Sequence, residues 1–145
     1  MASTRTFDIG LTESGDLPET ALFISGFDLV QQRVIRRLRT VLGEWLVDKT
    51  VGLPYFTWIA QKPPQVASIG AVLRAAVETT PGVARVTGWT GAFDTVTRAL
   101  TFTCQLQTND GDALLTVIPL GQPGAGNGNP GAGGVIRLSR VAPPA

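Results

Sequence analysis

The sequence contains no histidine and a single cysteine, Cys104. Without histidine, neither a Ser-His nor a Cys-His nucleophile arrangement can form, and the commonest side-chain ligand of metal ions is missing. One cysteine cannot form an internal disulfide and leaves too few thiols for a structural zinc site. Because Cys104 falls on the apolar side of a predicted strand, we expect a buried structural thiol. We assign no catalytic, metal or cofactor residue, and no cofactor is expected.

The sequence also lacks a charge excess and long apolar runs. Its 12 Lys+Arg nearly balance 11 Asp+Glu, and the resulting field is too weak to attract a phosphate backbone, so we expect no nucleic-acid partner. We expect neither a signal peptide nor a membrane-spanning segment of about 20 residues, because no uninterrupted apolar stretch follows the N-terminal residues. A cytosolic chain without a membrane partner or a small-molecule substrate is predicted.

The composition, with 43% hydrophobic and 16% charged residues in a chain of 145, fits one globular domain. Apolar residues at three- and four-residue steps predict a helix over 28–42, capped by Asp28 and followed by Gly43. Its predicted apolar face is Val30, Val34, Leu38, Val41 and Leu42. A second amphipathic helix is predicted between Pro63-Pro64 and Pro81-Gly82. Its predicted buried side is Val66, Ile69, Val72, Leu73, Ala76 and Val77.

The segment 44–61 between these helices is the densest in aromatic residues. Gly52 and Pro54 interrupt it, so we expect an irregular loop followed by a short helical turn. Large aromatic side chains can anchor such a loop to the core. The predicted anchors are Trp45, Tyr55, Phe56 and Trp58.

From residue 83 onward the hydrophobic period changes from helical to alternating. Alternation is clearest over 100–107, and the tight-turn sequence Asn109-Asp110-Gly111-Asp112 predicts antiparallel pairing with 113–120. Residues 83–90 and 135–141 are predicted as further strands. Short extended pieces around 6–9 and 21–24 are consistent with a loose hairpin.

The predicted fold is therefore α+β, with two amphipathic helices packed on a small, mainly antiparallel sheet in a single domain. Residues 1–120 are the predicted domain, and 135–145 are its terminal strand and tail. The stretch 121–134 is rich in Gly, Pro and Asn. It cannot bury enough apolar surface to offset its ordering entropy, so we expect a flexible loop.

Two patterns suggest chemistry but are better explained without it. Glu44 and Asp48 could act as the acid and nucleophile of a glycosidase, yet such carboxylate pairs occur often by chance. The glycines of 126–131 match the letters of a dinucleotide-binding motif, but the motif requires a helix after it, and here a strand is predicted. We therefore expect no enzyme, with a lysozyme-like cell-wall glycosidase as the alternative.

Arginines dominate the polar face of the first predicted helix. A charge cluster is usually solvated, but arginine is also preferred in protein interfaces, because its planar guanidinium binds carboxylates bidentately. Both interpretations stay open for Arg33, Arg36, Arg37 and Arg39.

A family resemblance rests on the order and spacing of several short motifs. The core motifs are Leu38-Arg39-Thr40, Gly43-Glu44-Trp45, Asp48 and Gly52-Leu53-Pro54-Tyr55. Together they resemble the gene product 25-like baseplate wedge family of contractile-tailed phages, in particular its Mu-like branch. The resemblance covers roughly residues 20–120. In one departure, the family's Glu-Pro-Arg motif is spread out here as Glu78, Pro81 and Arg85.

The resemblance implies a structural protein that links the inner baseplate wedge to the first sheath ring and initiates the sheath. It also implies a virion location, assembly in the host cytoplasm, and a similar component in the type VI secretion baseplate. The implied partners are other wedge proteins and tail sheath subunits, with tube-initiator proteins as further candidates. A small tail-completion or binding module of another tail type is the second alternative.

The resemblance further implies that sheath subunits join by exchanging strands. The C-terminal strand, with Val135, Ile136 and Leu138, either completes the sheet of its own domain or pairs with a neighbour. We hypothesise that the first sheath ring adds its strands at this edge.

Overall fold

The structure is a computed structural model that describes residues 7–12, 16–20, 22–61, 65–96, 100–109, 111–120 and 135–141. Within these ranges the backbone forms three helices and six strands. In chain order they are β1 (Asp8–Ile9), β2 (Phe23–Ile24), α1 (Gly26–Arg39), α2 (Tyr55–Ala60), α3 (Val66–Glu78), β3 (Val83–Phe93), β4 (Leu100–Thr108), β5 (Gly111–Leu120) and β6 (Val135–Arg140). The predicted α+β class is confirmed, with α1 and α3 as the amphipathic helices. The predicted flexible loop 121–134 lies outside the described residues, so the chain's division at residue 120 stays a prediction.

Four strands form one antiparallel sheet in the order β3-β4-β5-β6, while β1 and β2 pair separately as the expected hairpin. Cys104 on β4 lies opposite Leu115 on β5, and Leu115 lies opposite Leu138 on β6. Three strands thus contribute to one apolar row. β6 completes the sheet of its own chain, which decides between the two pairings considered for it.

The core lies between α1, α3 and the side of the sheet that faces them. Ile69, Leu73 and Val77 are fully buried, because their four-residue spacing places them on one stripe of α3. On β4 every second residue is buried, so the predicted burial of Cys104 is confirmed. The alternate residues of β4 form a polar surface on the far side of the sheet: Thr101, Thr103, Gln105 and Gln107.

The helix boundaries differ from the prediction in instructive ways. The N-cap position of α1 is Ser25 rather than Asp28, and the Ser25 side chain makes no cap hydrogen bond. The helix ends at Arg39 because Thr40 has an extended backbone (φ −70°, ψ 120°). The chain has therefore left the helix before Leu42, which is exposed rather than part of the apolar face. Val72 is also exposed, since it lies about 100° around α3 from the buried stripe. The predicted start of α3 at 63–64 lies outside the described residues. None of the helices in the described ranges is long and apolar enough to cross a bilayer.

Candidate interaction surfaces

Most of the motif residues between Leu38 and Tyr55 lie in the loop 41–53, which connects α1 and α2 and is called the motif loop below. Two backbone hydrogen bonds close its base. The Leu42 N–H donates to the Leu53 oxygen (3.0 Å), and the Leu53 N–H donates to the Thr40 oxygen (2.9 Å). The Thr40 hydroxyl in turn donates to the Arg36 oxygen (2.8 Å) on the last turn of α1. The loop therefore begins and ends at one fixed point beside the helix end.

Gly52 is required by the close approach of the two chain segments at this base. Its φ is +119°, and a Cβ built on it would lie 2.5 Å from the carbonyl carbon of Val41. Both the backbone conformation and the space therefore favour glycine. This accounts physically for one glycine of the motif.

Tyr55 connects the exit of the motif loop to the end of α1. Its hydroxyl donates a hydrogen bond to the Leu38 oxygen. Its ring packs edge-to-face on Trp58, with centroids 5.2 Å apart and planes at 81°. Both rings and Leu38 are buried, and burial raises the pKa of the Tyr55 hydroxyl. Tyr55 and Trp58 are two of the four predicted anchors, and the side chain of Phe56 lies outside what the structure describes. Pro54 precedes them at the N-cap position of α2.

The far end of the motif loop faces solvent. Trp45 is 52% exposed, Leu46 89% and Val47 84%, and these three residues are called the apolar tip below. The prediction that Trp45 anchors the loop to the core is therefore wrong. Gly43, just before the tip, has a positive φ of 89°, a conformation that glycine adopts readily in turns.

Two carboxylates flank the apolar tip. The Asp48 Oδ1 accepts hydrogen bonds from the Thr50 hydroxyl (2.5 Å) and the Thr50 N–H (2.9 Å), which lower the pKa of this carboxyl. Glu44 and Asp48 are both exposed, whereas a glycosidase acid lies in an apolar pocket that raises its pKa. The arrangement therefore favours a loop-stabilising turn over a catalytic pair.

The α1 arginines do not form one free basic face. Arg36 Nη1 lies 3.8 Å from Asp8 Oδ2 of β1, and both side chains are well exposed. Arg37 Nη1 donates to the Thr79 oxygen (3.3 Å) after α3. Arg33 is half-buried and Arg39 is exposed. Since two of the four arginines bind neighbouring elements of the same chain, a docking role for this face stays a prediction.

The spread Glu-Pro-Arg residues lie around the turn from α3 to β3. Glu78 forms an ion pair of 2.8 Å within α3, while Pro81 and Arg85 are exposed on the turn and on β3. The hydrogen bond from Arg37 to Thr79 brings one α1 arginine to this turn. Two predicted interface regions are therefore neighbours, although their interface role stays a prediction.

Along β6, successive residues point their backbone N–H and C=O groups alternately towards β5 and outward. The Val141 N–H donates to the Asp112 oxygen (2.8 Å). Because antiparallel pairing alternates, the backbone groups of Ile136 and Leu138 face outward. The Leu138 oxygen accepts a hydrogen bond from Gln31 Nε2 of α1 (2.9 Å), and the Leu138 side chain is buried. A helix residue thus occupies part of this edge.

Sequence reasoning missed the apolar tip and two adjacent glutamines of α1. Gln32 hydrogen-bonds to the backbone at β1, as Gln31 does at β6. The Gln32 Oε1 accepts a hydrogen bond from the Leu11 N–H (2.8 Å), and its Nε2 donates one to the Ile9 oxygen (3.0 Å). The tip had a sequence signal, since three successive apolar residues follow the end of the helical period at Gly43. The glutamine contacts had none, because they depend on distant chain segments.

A family model described as contractile injection system sheath initiator matches residues 6–111. The matched range includes β1 to β4, the motif loop and the turn from α3 to β3. β6 and nearly all of β5 lie beyond it. A comparison with curated proteins gives no match.

Proposed function

Because the chain belongs to the contractile injection system sheath initiator family, we propose that it is a non-enzymatic subunit of the tail baseplate of a contractile phage. In this role it links the inner baseplate wedge to the first sheath ring and starts sheath assembly. The observation that carries the proposal is the family match, which contains every motif residue from Leu38 to Tyr55. The proposed partners are other wedge proteins, tail sheath subunits and tube-initiator proteins. The proposed location is the virion, after assembly in the host cytoplasm.

The outward edge of β6 is the proposed place where the sheath ring adds a strand. β6 keeps an unbroken register with β5 over six residue pairs. By contrast, β3 at the other edge has register shifts against β4 between Val83 and Arg85 and between Thr87 and Thr90. Such irregularities twist an edge and hinder further pairing. The more regular edge therefore supports β6 as the acceptor.

An incoming strand would compete with Gln31 for the Leu138 oxygen. The glutamine amide supplies the same N–H donor that a paired backbone would supply. One side-chain bond contributes only about 1 kcal/mol, so a strand that forms several backbone bonds can displace it. In this proposal Gln31 covers the edge until the sheath subunit arrives.

The inner baseplate is proposed to bind a second group of candidate residues, namely Arg37 and the turn from α3 to β3 that carries Pro81 and Arg85. The Arg37–Thr79 hydrogen bond already joins these elements, and exposed arginines are suited to carboxylates on a partner. This assignment keeps the inner-baseplate contact off the β6 edge, where only the Gln31 side chain would have to be displaced by the sheath strand.

The test uses particles produced with and without the chain, together with an edge-blocking pair of variants. Ile136→Pro removes an outward N–H while leaving the bonds to β5, and Ile136→Ala is the matched control. We expect baseplates without sheath when the chain is absent. Ile136→Pro should fold, enter baseplates and fail to start the sheath, whereas Ile136→Ala should give sheaths of normal length.

The two parts of the proposal can fail separately. Normal sheaths in the absence of the chain would disprove the initiator role. Normal sheaths with Ile136→Pro, in baseplates that contain the variant, would disprove only the β6 edge. Deletion of β6 is a poorer test, because it removes the buried Leu138 side chain and destabilises the domain.

A further inference from the structure

The apolar tip is the feature that the proposed contacts leave unused. Leu46 and Val47 expose most of their surface, and Trp45 about half. Burying apolar side chains is energetically favourable, and three adjacent ones that stay in water do not contribute this stabilisation to the isolated chain. Exposed apolar clusters of this kind mark interaction sites on soluble proteins.

The motif loop holds this tip in a defined position. Its base is closed by the backbone bonds between Leu42, Leu53 and Thr40. Beyond the tip, Asp48 fixes a turn through Thr50, and the Val51 N–H donates to the Asp48 oxygen (3.3 Å). A preorganised loop loses less conformational entropy on binding than a flexible one. The loop therefore holds the apolar tip exposed to solvent in a preorganised conformation, as suits a binding site.

We infer that the apolar tip inserts into an apolar socket, edged by Lys or Arg, on a different protein of the same injection system. The inference rests on the proposed function, which requires the chain to sit among other baseplate proteins. Trp45 is the central anchor, since tryptophan is enriched among the few residues that contribute most to the binding energy of protein interfaces. Glu44 and Asp48 face the basic edge of the socket, because opposite charges at a rim favour the correct partner.

The charges beside the tip distinguish this partner from a membrane. Interfacial loops and helices that bind anionic lipids combine apolar residues with Lys and Arg. Here carboxylates stand immediately before and after the tip, and Lys49 is the one basic residue among 43–52. An anionic membrane surface would repel Glu44 and Asp48.

The same charges argue against a second copy of this chain. Two tips in contact would set the Glu44 and Asp48 carboxylates of both copies against each other. The chain's own arginine face is a poor socket, since Arg36 lies beside Asp8 and Arg37 binds the Thr79 oxygen. A different basic-rimmed partner fits better.

The first test is site-specific photo-cross-linking in assembled particles. A diazirine side chain replaces Leu46, and the same group at Val96 is the control, because Val96 is 90% exposed on the turn after β3. We expect the position-46 adduct to map to an apolar peptide that contains Lys or Arg in another particle protein. Adducts with lipid or with this chain would overturn the inference. So would a yield no higher than that at position 96.

The second test measures assembly of the double variant Leu46→Ser/Val47→Ser against Val96→Ser. Both isolated chains should keep the wild-type Tm, while incorporation of the double variant into baseplates should fall about tenfold or more. Glu44→Lys should also lower incorporation. Equal incorporation of the double variant and Val96→Ser would overturn the inference alone, whereas absence of the wild-type chain from baseplates would overturn the proposed function itself.

Discussion

The hydroxyl of Tyr55 donates a hydrogen bond to the backbone oxygen of Leu38, 17 positions earlier in the chain. Leu38 belongs to the last turn of α1, where helix carbonyls lack partners within the helix. Tyr55 therefore satisfies the helix end and fixes the exit of the motif loop with the same bond.

Replacement of Tyr55 by Phe tests this double role. The ring and its packing on Trp58 remain, but the Leu38 oxygen loses its donor in a buried place. We expect a loss of about 1–2 kcal/mol in the free energy of unfolding, measured by urea denaturation. An unchanged urea midpoint would show that the hydroxyl is dispensable.

The two glycines of the motif loop provide a matched pair. Gly52→Ala places a Cβ against the Val41 backbone at a φ of +119°, whereas Gly43→Ala meets no atom within 4 Å at a φ of +89°. We expect Gly52→Ala to cost about 3 kcal/mol or more, and Gly43→Ala about 1 kcal/mol from backbone strain alone. Thermal unfolding of both variants measures the difference, and equal losses would contradict the steric explanation.

The two tryptophans near the motif loop should respond oppositely to truncation. Trp58 is 5% exposed, so Trp58→Ala should destabilise the domain by about 3–5 kcal/mol. Trp45→Ala should change the free energy of unfolding by about 0.5 kcal/mol or less, as surface substitutions do. A large loss for Trp45→Ala in the isolated chain would place its ring in the core.

Stability should fall at alkaline pH because of Cys104. Burial raises the pKa of its thiol from 9.0 to about 12, with a smaller opposing effect of Arg74. The folded state therefore holds this proton more tightly than the unfolded state. The free energy of unfolding is fully retained below pH 9 and decreases towards pH 12, by at most about 1.4 kcal/mol per pH unit.

Tyr55 acts in the same direction above pH 10, since its pKa is also raised by burial. Denaturation at pH 8 to 10 therefore isolates the cysteine. Cys104→Ala should be less stable at pH 8 because of lost packing, but it should show a flatter pH dependence. An equally steep decrease in the variant would exclude the thiol as its source.

Charge reversal at Arg36 and Arg37 separates folding from assembly. Arg36 pairs with Asp8 at an exposed site, where ion pairs contribute about 0–1 kcal/mol. The double Glu variant should therefore fold in isolation with a small decrease in Tm, yet assemble poorly with wedge proteins, because an interface partner loses its counter-charge. Arg36→Glu alone is the control, and normal assembly of the double variant would indicate a solvated face.

The main elements could be predicted because their signals are local. The period of α3 and the tight-turn sequence after β4 depend on neighbouring residues, and the structure confirms the helix and the antiparallel pairing of β4 with β5. The end of α1 could not be predicted, since Thr40 leaves the helix to bond with Leu53, 13 positions later. Periodicity carries no information about such a bond.

The candidate surfaces show the same division. The motif spacing located the loop between the helices, but residue type alone did not reveal that Trp45 points to solvent while Trp58 points to the core. Both are tryptophans in one aromatic segment, but Trp45 lies at the exposed end of the motif loop, whereas Trp58 lies on α2 with its ring buried. Similarly, the sequence suggests that Gln31 and Gln32 are solvated, although each forms hydrogen bonds to the backbone at a strand, Gln31 at β6 and Gln32 at β1.

The hydrogen bond between Gln31 and Leu138 joins residues 107 positions apart, and this separation sets an order of events during synthesis. α1 ends at Arg39 and β6 begins at Val135, so α1 cannot form this contact until β6 has been synthesised. Contacts between residues far apart in the sequence form slowly, so the closure of β6 against α1 is expected to be a late step in folding.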